Sequence, residues 1–207
     1  MINTKERILT VSLELFAKEG YEAVSVSDIA SKLGITKSAL YKHYKNKRDI
    51  FDSILEKMYQ IDSENSKKSK VPEQTYENRP DSYNNVSLKD LADFTISQFE
   101  FWTRDKFASN FRKMLTLEQY RNSEMTKLYN DCILGGPVSY VSDIFSVMIS
   151  NGILKDGSPM QLAVEFYSPF YLLINLYDSF NNKDILLNAM KDHIESFIRE
   201  KRVSHDE

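Results

Sequence analysis

Residues 25–48 read SVSDIASKLGITKSALYKHYKNKR, and this stretch decides the fold of the N-terminal part of the chain. A small side chain at Ala30 allows two helices to approach closely. Gly34 can adopt the positive φ that a tight turn between them needs. Leu40 lies where the second helix would face inward and seal the pair. Together the three positions predict a helix-turn-helix.

Capping signals mark where the helices of this region begin. Ser25 followed by Asp28 predicts a capping box, and Asn46 followed by Asp49 repeats that signature at the start of a fourth helix. Thr36 is the predicted N-cap of the second helix of the motif. That helix is expected to be about nine residues or ~13 Å long, which suits insertion into a DNA major groove ~12 Å wide.

The charge of the motif differs from that of the whole chain, whose net charge is −3. Residues 1–60 have a net charge of +2 and the remainder −5. Residues 29–48 contain no acidic side chain. Their basic residues are Lys32, Lys37, Lys42, Lys45, Lys47 and Arg48. A basic patch on an otherwise acidic protein favours contact with duplex phosphates through the patch alone.

Hydrophobic spacing is helical almost throughout, so the predicted fold class is all-α. A first helix is expected from Asn3 to Gly20, with Asn3 and Glu6 as a capping box. We predict an N-terminal three-helix helix-turn-helix head and a larger C-terminal helical dimerisation and ligand domain. The predicted ranges are 1–60 for the head, 61–86 for a polar linker or helix extension, and 87–207 for the helical domain.

The N-terminal segment resembles the DNA-binding domain of the tetracycline-repressor (TetR/AcrR-like) family of bacterial transcriptional regulators. The resemblance covers residues 4–51 and depends on LFAKEG, on DIASKLGITKSALYKHYKNK and on the following DIF. It implies a set of DNA-contacting residues. These are Thr36, Tyr41 and Lys47 at phosphates, Lys37, Ser38 and Lys42 at base edges, Ser25 and Ser27 at phosphates from the preceding helix, and His43 at the end of the motif.

Several of these residues have an alternative interpretation. Tyr41 could be a core aromatic residue with an exposed hydroxyl, and His43 could be a surface or packing residue. Lys42 and Lys45 could contribute only to the electrostatic field. Lys47 is expected, with the adjacent Arg48, at a helix N-terminus, where free amides and the helix dipole favour a phosphate.

The helix that begins at Ser158 is apolar on nearly every side, so it must be covered by its own domain or by a partner chain. The resemblance implies that two helices of each subunit build a four-helix interface, which makes the protein a homodimer on a pseudo-palindromic operator. The alternative is a wholly intramolecular core. The sequence Gly135-Gly136-Pro137 predicts a kink or a stop within the preceding helical stretch.

Family members use the aromatic-rich region as an inducer pocket, so the resemblance implies a small-molecule effector of unknown identity. Most of the aromatic residues must be ordinary core. The pocket residues we predict are Phe99, Trp102, Phe111, Phe166 and Phe170. Three polar groups could anchor a ligand but are more simply surface or interface charges: Glu165, Arg104 and Arg112.

Other classes of function lack motifs here. No nucleophile elbow, Gly-rich phosphate loop, paired catalytic carboxylates or metal-ligand cluster is recognisable, so neither an enzyme, a metal site nor a cofactor is expected. A single cysteine, Cys132, fits a reducing cytoplasm. The apolar stretch Leu162–Tyr177 is too short and polar for a membrane span. The rival interpretations are an activator or a regulator without any ligand, and a helical interaction protein whose basic head binds an acidic protein or RNA.

Overall fold

The computed structural model describes residues 3–203, and nearly all of the regular structure in that range is helical. An isolated antiparallel bridge joins Leu154 to Arg202. A 3-10 helix covers Pro80–Tyr83. The predicted all-α fold class is confirmed. The α-helices of the described range are α1 (Thr4–Glu19), α2 (Val26–Leu33), α3 (Lys37–Tyr41), α4 (Lys47–Lys68), α5 (Leu88–Arg104), α6 (Lys106–Glu118), α7 (Ser123–Ile133), α8 (Gly135–Ser150), α9 (Pro159–Leu176) and α10 (Lys183–Lys201).

The chain forms two compact units. The first contains the residues up to Ser63 together with Asp105–Tyr129, and the second contains Glu64–Arg104 together with the residues from Asn130 onward. In the first unit α6 packs along α1. In the second unit α8 packs along α9, and α10 packs on both α5 and α9.

These units differ from the predicted ranges 1–60 and 87–207 chiefly in the placement of residues 105–129, which contain most of α7 and the whole of α6. Helix α6 buries Phe111, Met114 and Leu115 almost completely within the first unit. The apolar face of α6 therefore completes the head rather than the C-terminal helical domain. Its periodicity alone predicts a helix but does not identify the surface that covers it.

The polar segment 61–86 begins as a helix, since α4 continues to Lys68. Two tyrosines hold the remainder of the segment within the second unit. The Tyr83 hydroxyl donates to the carbonyl oxygen of Gln74 at 3.0 Å, and the Tyr140 hydroxyl donates to that of Pro72 at 3.0 Å. Tyr83 itself is buried, and this burial, followed by the charge of Asp143, raises its pKa to about 12.

α1 begins after Asn3, as predicted, and ends before Gly20. The predicted capping box with Glu6 is wrong. The Asn3 side chain accepts from the backbone N–H of Lys5 at 3.1 Å, while the Glu6 carboxylate pairs with the ammonium of Lys57. A full ionic partner from α4 has replaced the weaker local hydrogen bond.

Three phenylalanines form the centre of the second unit. The rings of Phe145 and Phe166 lie 5.5 Å apart, those of Phe145 and Phe197 5.4 Å, and those of Phe166 and Phe197 5.0 Å. They come from α8, α9 and α10, so one cluster joins three helices. Nε2 of His193 lies 3.0 Å from the carbonyl oxygen of Phe166 and links α10 to α9 as well.

The chain breaks between α7 and α8 at Leu134, as Gly135-Gly136-Pro137 predicts. By length and composition the stretch Ser123–Ser150, rather than Leu162–Tyr177, would suffice to cross a membrane. Core helices of soluble proteins meet the same criterion. Here the break at Leu134 divides the stretch into two helices of 11 and 16 residues, each shorter than the ~20 residues of a typical transmembrane helix.

Candidate nucleic-acid interface

Local hydrogen bonds fix the helix-turn-helix as its sequence predicts. Ser25 and Asp28 form the capping box, with Ser25 N donating to the Asp28 carboxylate at 2.8 Å and Asp28 N donating to Ser25 Oγ at 3.2 Å. Gly34 ends α2 with a φ of +68°. Thr36 Oγ1 accepts from Ala39 N at 3.1 Å and caps α3. The bonds to Ser25, through its side chain first, hold the pKa of Asp28 below its ordinary value.

The two motif helices are sealed by buried side chains. Leu40 and Ile29 are completely buried, and Ala30 is 3% exposed. These residues bring α3 against α2 and fix the angle at which α3 leaves the turn. The predicted packing roles of Ala30 and Leu40 are therefore confirmed.

α3 has five residues, Lys37–Tyr41, rather than the nine that were predicted. The backbone forms a tight turn after Tyr41, in which the N–H groups of His43 and Tyr44 both donate to the carbonyl oxygen of Leu40. Tyr44 then turns inward and is 2% exposed. Its hydroxyl donates to the carbonyl oxygen of Lys5 at 3.2 Å, which anchors the end of the motif on α1.

One side of α3 and the turn after it faces solvent and carries the residues predicted to contact bases and phosphates. Lys37, Ser38, Tyr41, Lys42 and His43 are all exposed. Tyr41 has 49% of its surface exposed, so the alternative of a core aromatic residue is wrong. The exposed lysines and the tyrosine hydroxyl supply hydrogen-bond donors on a rigid support. Such a surface can bind phosphate oxygens and guanine acceptors.

The hydroxyls at the ends of the motif differ in their freedom to donate. Ser25 Oγ donates its one hydrogen to the Asp28 carboxylate at 2.6 Å, so a phosphate would have to displace that bond. Thr36 Oγ1 serves as an acceptor in its cap, which leaves its hydrogen for a phosphate. Ser27 is half-buried on α2. Of the three, Thr36 has the most suitable donor geometry.

Lys47 is bonded within the head. Its ammonium donates to the carbonyl oxygen of Tyr21 at 2.8 Å and to that of Glu22 at 3.3 Å, and it lies 4.3 Å from the centre of the Tyr21 ring. Because an ammonium has three N–H groups, one remains for a phosphate. Lys47 therefore joins the first residue of α4 to the segment between α1 and α2.

Arg48 does not have the free charge that its position at a helix N-terminus suggested. Its guanidinium binds both carboxylate oxygens of Glu124 at 2.9 and 2.6 Å, and its Nε donates to Asp52 at 2.7 Å. These bonds raise the pKa of Arg48 and lower that of Glu124. The exposed positive charge of the motif consequently comes from its lysines.

The head matches a known family of regulators. Residues 8–54 match the family model described as bacterial regulatory proteins, tetR family. The chain is 42% identical over 53 residues to the HTH-type transcriptional regulator AcrR of Shigella flexneri, which covers 26% of this chain and 25% of AcrR. It is 34% identical over 87 residues to the HTH-type transcriptional regulator QacR of Staphylococcus aureus, covering 42% and 46%. The DNA-binding head of the chain, residues 8–54, is therefore of the tetR family.

Outside the head, the likeness to solved structures is one of fold alone. The structure of SmeT, the repressor of the Stenotrophomonas maltophilia multidrug efflux pump SmeDEF, has a TM-score of 0.65 with this chain at 16% identity. That match covers 99% of this chain and 93% of SmeT. The matched segments of AcrR and QacR, by contrast, span less than half of those relatives' own length.

The residues predicted to line the effector pocket are all buried, but they do not belong to one unit. Phe99, Trp102, Phe166 and Phe170 lie in the second unit, where the rings of Phe99 and Phe170 are 6.0 Å apart. Phe111 lies in the first unit. The predicted pocket as a whole stays a prediction.

The three polar groups that could anchor a ligand have separate surroundings. Glu165 pairs with Lys201 at 2.9 Å, and Arg104 pairs with Glu100 at 2.8 Å. Arg112 is 2% exposed in the first unit, so its interpretation as a surface or interface charge is wrong. The first two therefore serve ion pairs on the surface of the second unit.

Sequence reasoning missed the buried carboxylate of Glu118 in the head. Glu118 at the end of α6 is 1% exposed, and its carboxylate accepts from the backbone N–H of Tyr21 at 3.0 Å. The two residues are 97 positions apart, so no local pattern signals the contact. Gly20 is a nearby indication, since a Cβ there would lie 2.7 Å from Glu118 Oε1, but this contact exists only in the folded protein.

Proposed function

We propose that this protein is a homodimeric, sequence-specific DNA-binding transcriptional regulator of the cytoplasm, a repressor that a small-molecule effector releases from its operator. The observation that carries this proposal is the exposed lysine-bearing side of α3, held at a fixed angle by the buried Leu40. The names of AcrR and QacR as transcriptional regulators and of SmeT as a repressor support it.

A single head is too small for tight specific binding, so two heads are needed. One row of α9 supports dimerisation. Met160, Val164, Ser168 and Leu172 follow one another at four-residue intervals and are all exposed in the single chain. Three of the four are apolar, with exposures of 48–56%. We propose that a second copy of the chain covers this row, with α10 beside it, in a four-helix interface.

Replacing Val164 and Leu172 together by glutamate is expected to convert the dimer to a monomer, because carboxylates would have to be desolvated at the interface. Sedimentation equilibrium measures the change in mass. The matched control is Leu117→Glu, which alters a leucine of 50% exposure on α6 in the first unit. A double variant that kept the mass of the wild type would contradict the proposed interface.

The test of DNA binding uses the segment upstream of the protein's own gene, since local repressors often control neighbouring genes. Fluorescence anisotropy compares that duplex with a scrambled duplex of equal length and composition. Specific binding is expected to be about 10³-fold or more tighter than non-specific binding at physiological salt. Equal affinity for both duplexes, with retention by an acidic protein or RNA, would favour the alternative of a helical interaction protein.

Effector control has its own measurable signature. By linkage, a molecule that lowers the affinity of the protein for its operator must itself bind more weakly to the operator complex than to the free protein. The two affinities change by the same factor. Triclosan, bound in one SmeT structure, is a reasonable first probe. A small molecule that bound without any mutual effect on operator affinity would not be an effector.

Lys47→Ala is expected to weaken binding to all duplexes about equally and to lower the salt dependence of log K by about one unit for each head. The change would also remove two hydrogen bonds to carbonyl oxygens, so the thermal midpoint should fall. Lys45→Ala, an exposed lysine two residues earlier, is the control. An unchanged salt slope would remove Lys47 from the phosphate contacts.

A further inference from the structure

Glu118 is a buried carboxylate at the end of a helix, and its bonds explain why it is tolerated. Oε1 accepts from the backbone N–H of Tyr21 at 3.0 Å, and Oε2 lies 3.8 Å from Nε of Arg121. Burying an ionised carboxylate is costly unless such donors compensate it. Its retention at 1% exposure therefore indicates that α6 is anchored at one specific backbone position of the head.

Gly20 makes room for this carboxylate. A Cβ at position 20 would lie 2.7 Å from Glu118 Oε1, and the residue has a φ of +87°, a conformation that side chains disfavour. Gly20 therefore leaves space for the Glu118 carboxylate and has a backbone conformation that favours glycine.

Lys47 holds the same residue from the other direction. Its ammonium donates to the carbonyl oxygens of Tyr21 and Glu22, while the Tyr21 ring packs 5.1 Å from the ring of Phe16 and 5.0 Å from that of Phe51. Both backbone polar groups of Tyr21 are therefore occupied. Glu118 of α6 takes its N–H, and Lys47 of α4 takes its carbonyl oxygen.

We infer that Glu118 is a positioning residue for Lys47. By fixing the backbone of Tyr21, Glu118 positions the carbonyl oxygens of Tyr21 and Glu22. These two oxygens orient the Lys47 ammonium so that its third N–H points to a DNA phosphate. The last step rests on the proposed function, because it takes DNA to be the ligand of Lys47. The consequence is that α6, through one carboxylate, sets the geometry of a phosphate contact in the head.

The first test needs no DNA. Reductive methylation followed by peptide mass spectrometry measures the rate at which Lys47 reacts, with the exposed Lys37 as internal reference. In the wild type Lys47 is expected to react several-fold more slowly, because two carbonyl oxygens hold its ammonium. Glu118→Ala should bring the two rates together, whereas Glu118→Gln, which keeps an oxygen acceptor, should preserve the difference.

Glu118→Asp guards against loss of folding, since it keeps the charge but withdraws the carboxylate by about one bond length. Circular dichroism establishes that each variant is folded. A folded Glu118→Asp or Glu118→Ala protein whose Lys47 remained as protected as in the wild type would overturn the inference, whatever the protein does with DNA.

The second test measures operator affinity as a function of salt for Glu118→Ala, Lys47→Ala and the double variant. Each single change should lower affinity about tenfold for each head of the dimer, the size of one charge-assisted hydrogen bond. Each should also lower the salt slope equally, and the double variant should be no worse than Lys47→Ala. Additive losses would mean that the two residues act separately and would overturn the inference. Absence of any operator binding by the wild type would reject the proposed function alone and leave the methylation result to decide.

Discussion

Replacing Lys37 and Lys42 together by glutamate is expected to abolish specific operator binding. Both side chains lie on the exposed side of α3 and the turn that follows it. A lysine bonded to guanine acceptors contributes roughly 1–3 kcal/mol of discrimination, and a dimer would lose four of them. The loss is therefore on the order of 4 kcal/mol or more, or at least about 10³-fold, before the repulsion of the new carboxylates from phosphates is added.

Fluorescence anisotropy titrations at two salt concentrations measure this effect. The matched control is Lys68→Glu with Lys89→Glu, which changes the net charge equally but alters exposed lysines of the second unit. The control should retain affinity within about threefold, because the proposed contacts with the duplex all lie in the first unit. If both pairs of substitutions weakened binding equally, net charge rather than the side of α3 would govern recognition.

Gly136→Ala is expected to destabilise the fold strongly. A Cβ at this position would lie 2.0 Å from the backbone carbonyl oxygen of Asp131, where α8 begins directly after α7. A carbonyl of the main chain cannot rotate away as a side chain can, so both helix ends would have to shift. We expect a loss of about 3 kcal/mol, the upper part of the range for overpacked sites.

For a chain of this length such a loss lowers the thermal midpoint by roughly 6–12 °C. Differential scanning calorimetry measures it, with Gly157→Ala as the control. The Cβ of that variant would meet only Leu162 Cδ1 at 4.0 Å, so its midpoint should change little. A Gly136→Ala protein as stable as Gly157→Ala would mean that α7 and α8 do not approach each other as closely as described.

The sequence predictions that succeeded depend on contacts between residues close together in the chain, and those that failed depend on contacts between distant residues. The capping box at Ser25, the cap at Thr36, the left-handed turn at Gly34 and the break before Gly135 were all predictable. Each depends on a residue and its neighbours within about four positions. The capping box at Asn3 failed because Glu6 found an ionic partner 51 positions away.

For the proposed site, residue type and local spacing identified α3, its cap and its lysines, and the structure places Lys37, Tyr41 and Lys42 in solvent. The contacts with DNA bases and phosphates remain predictions. The length of α3 was overestimated, because the inward turn of Tyr44 depends on a carbonyl acceptor on α1, 39 positions earlier.

By itself the sequence determined the helical class, the helix-turn-helix and its basic surface, since these follow from periodicity, capping and charge within short windows. Only the tertiary structure decided how the charges of the head are used. Lys47 is hydrogen-bonded to Tyr21, which is 26 positions away in the sequence, and Arg48 to Glu124, which is 76 positions away. Glu118 is hydrogen-bonded to Tyr21, 97 positions away. A charged side chain pairs with whichever partner folding brings within about 3 Å. The number of residues between two such partners in the sequence does not indicate that they will be this close.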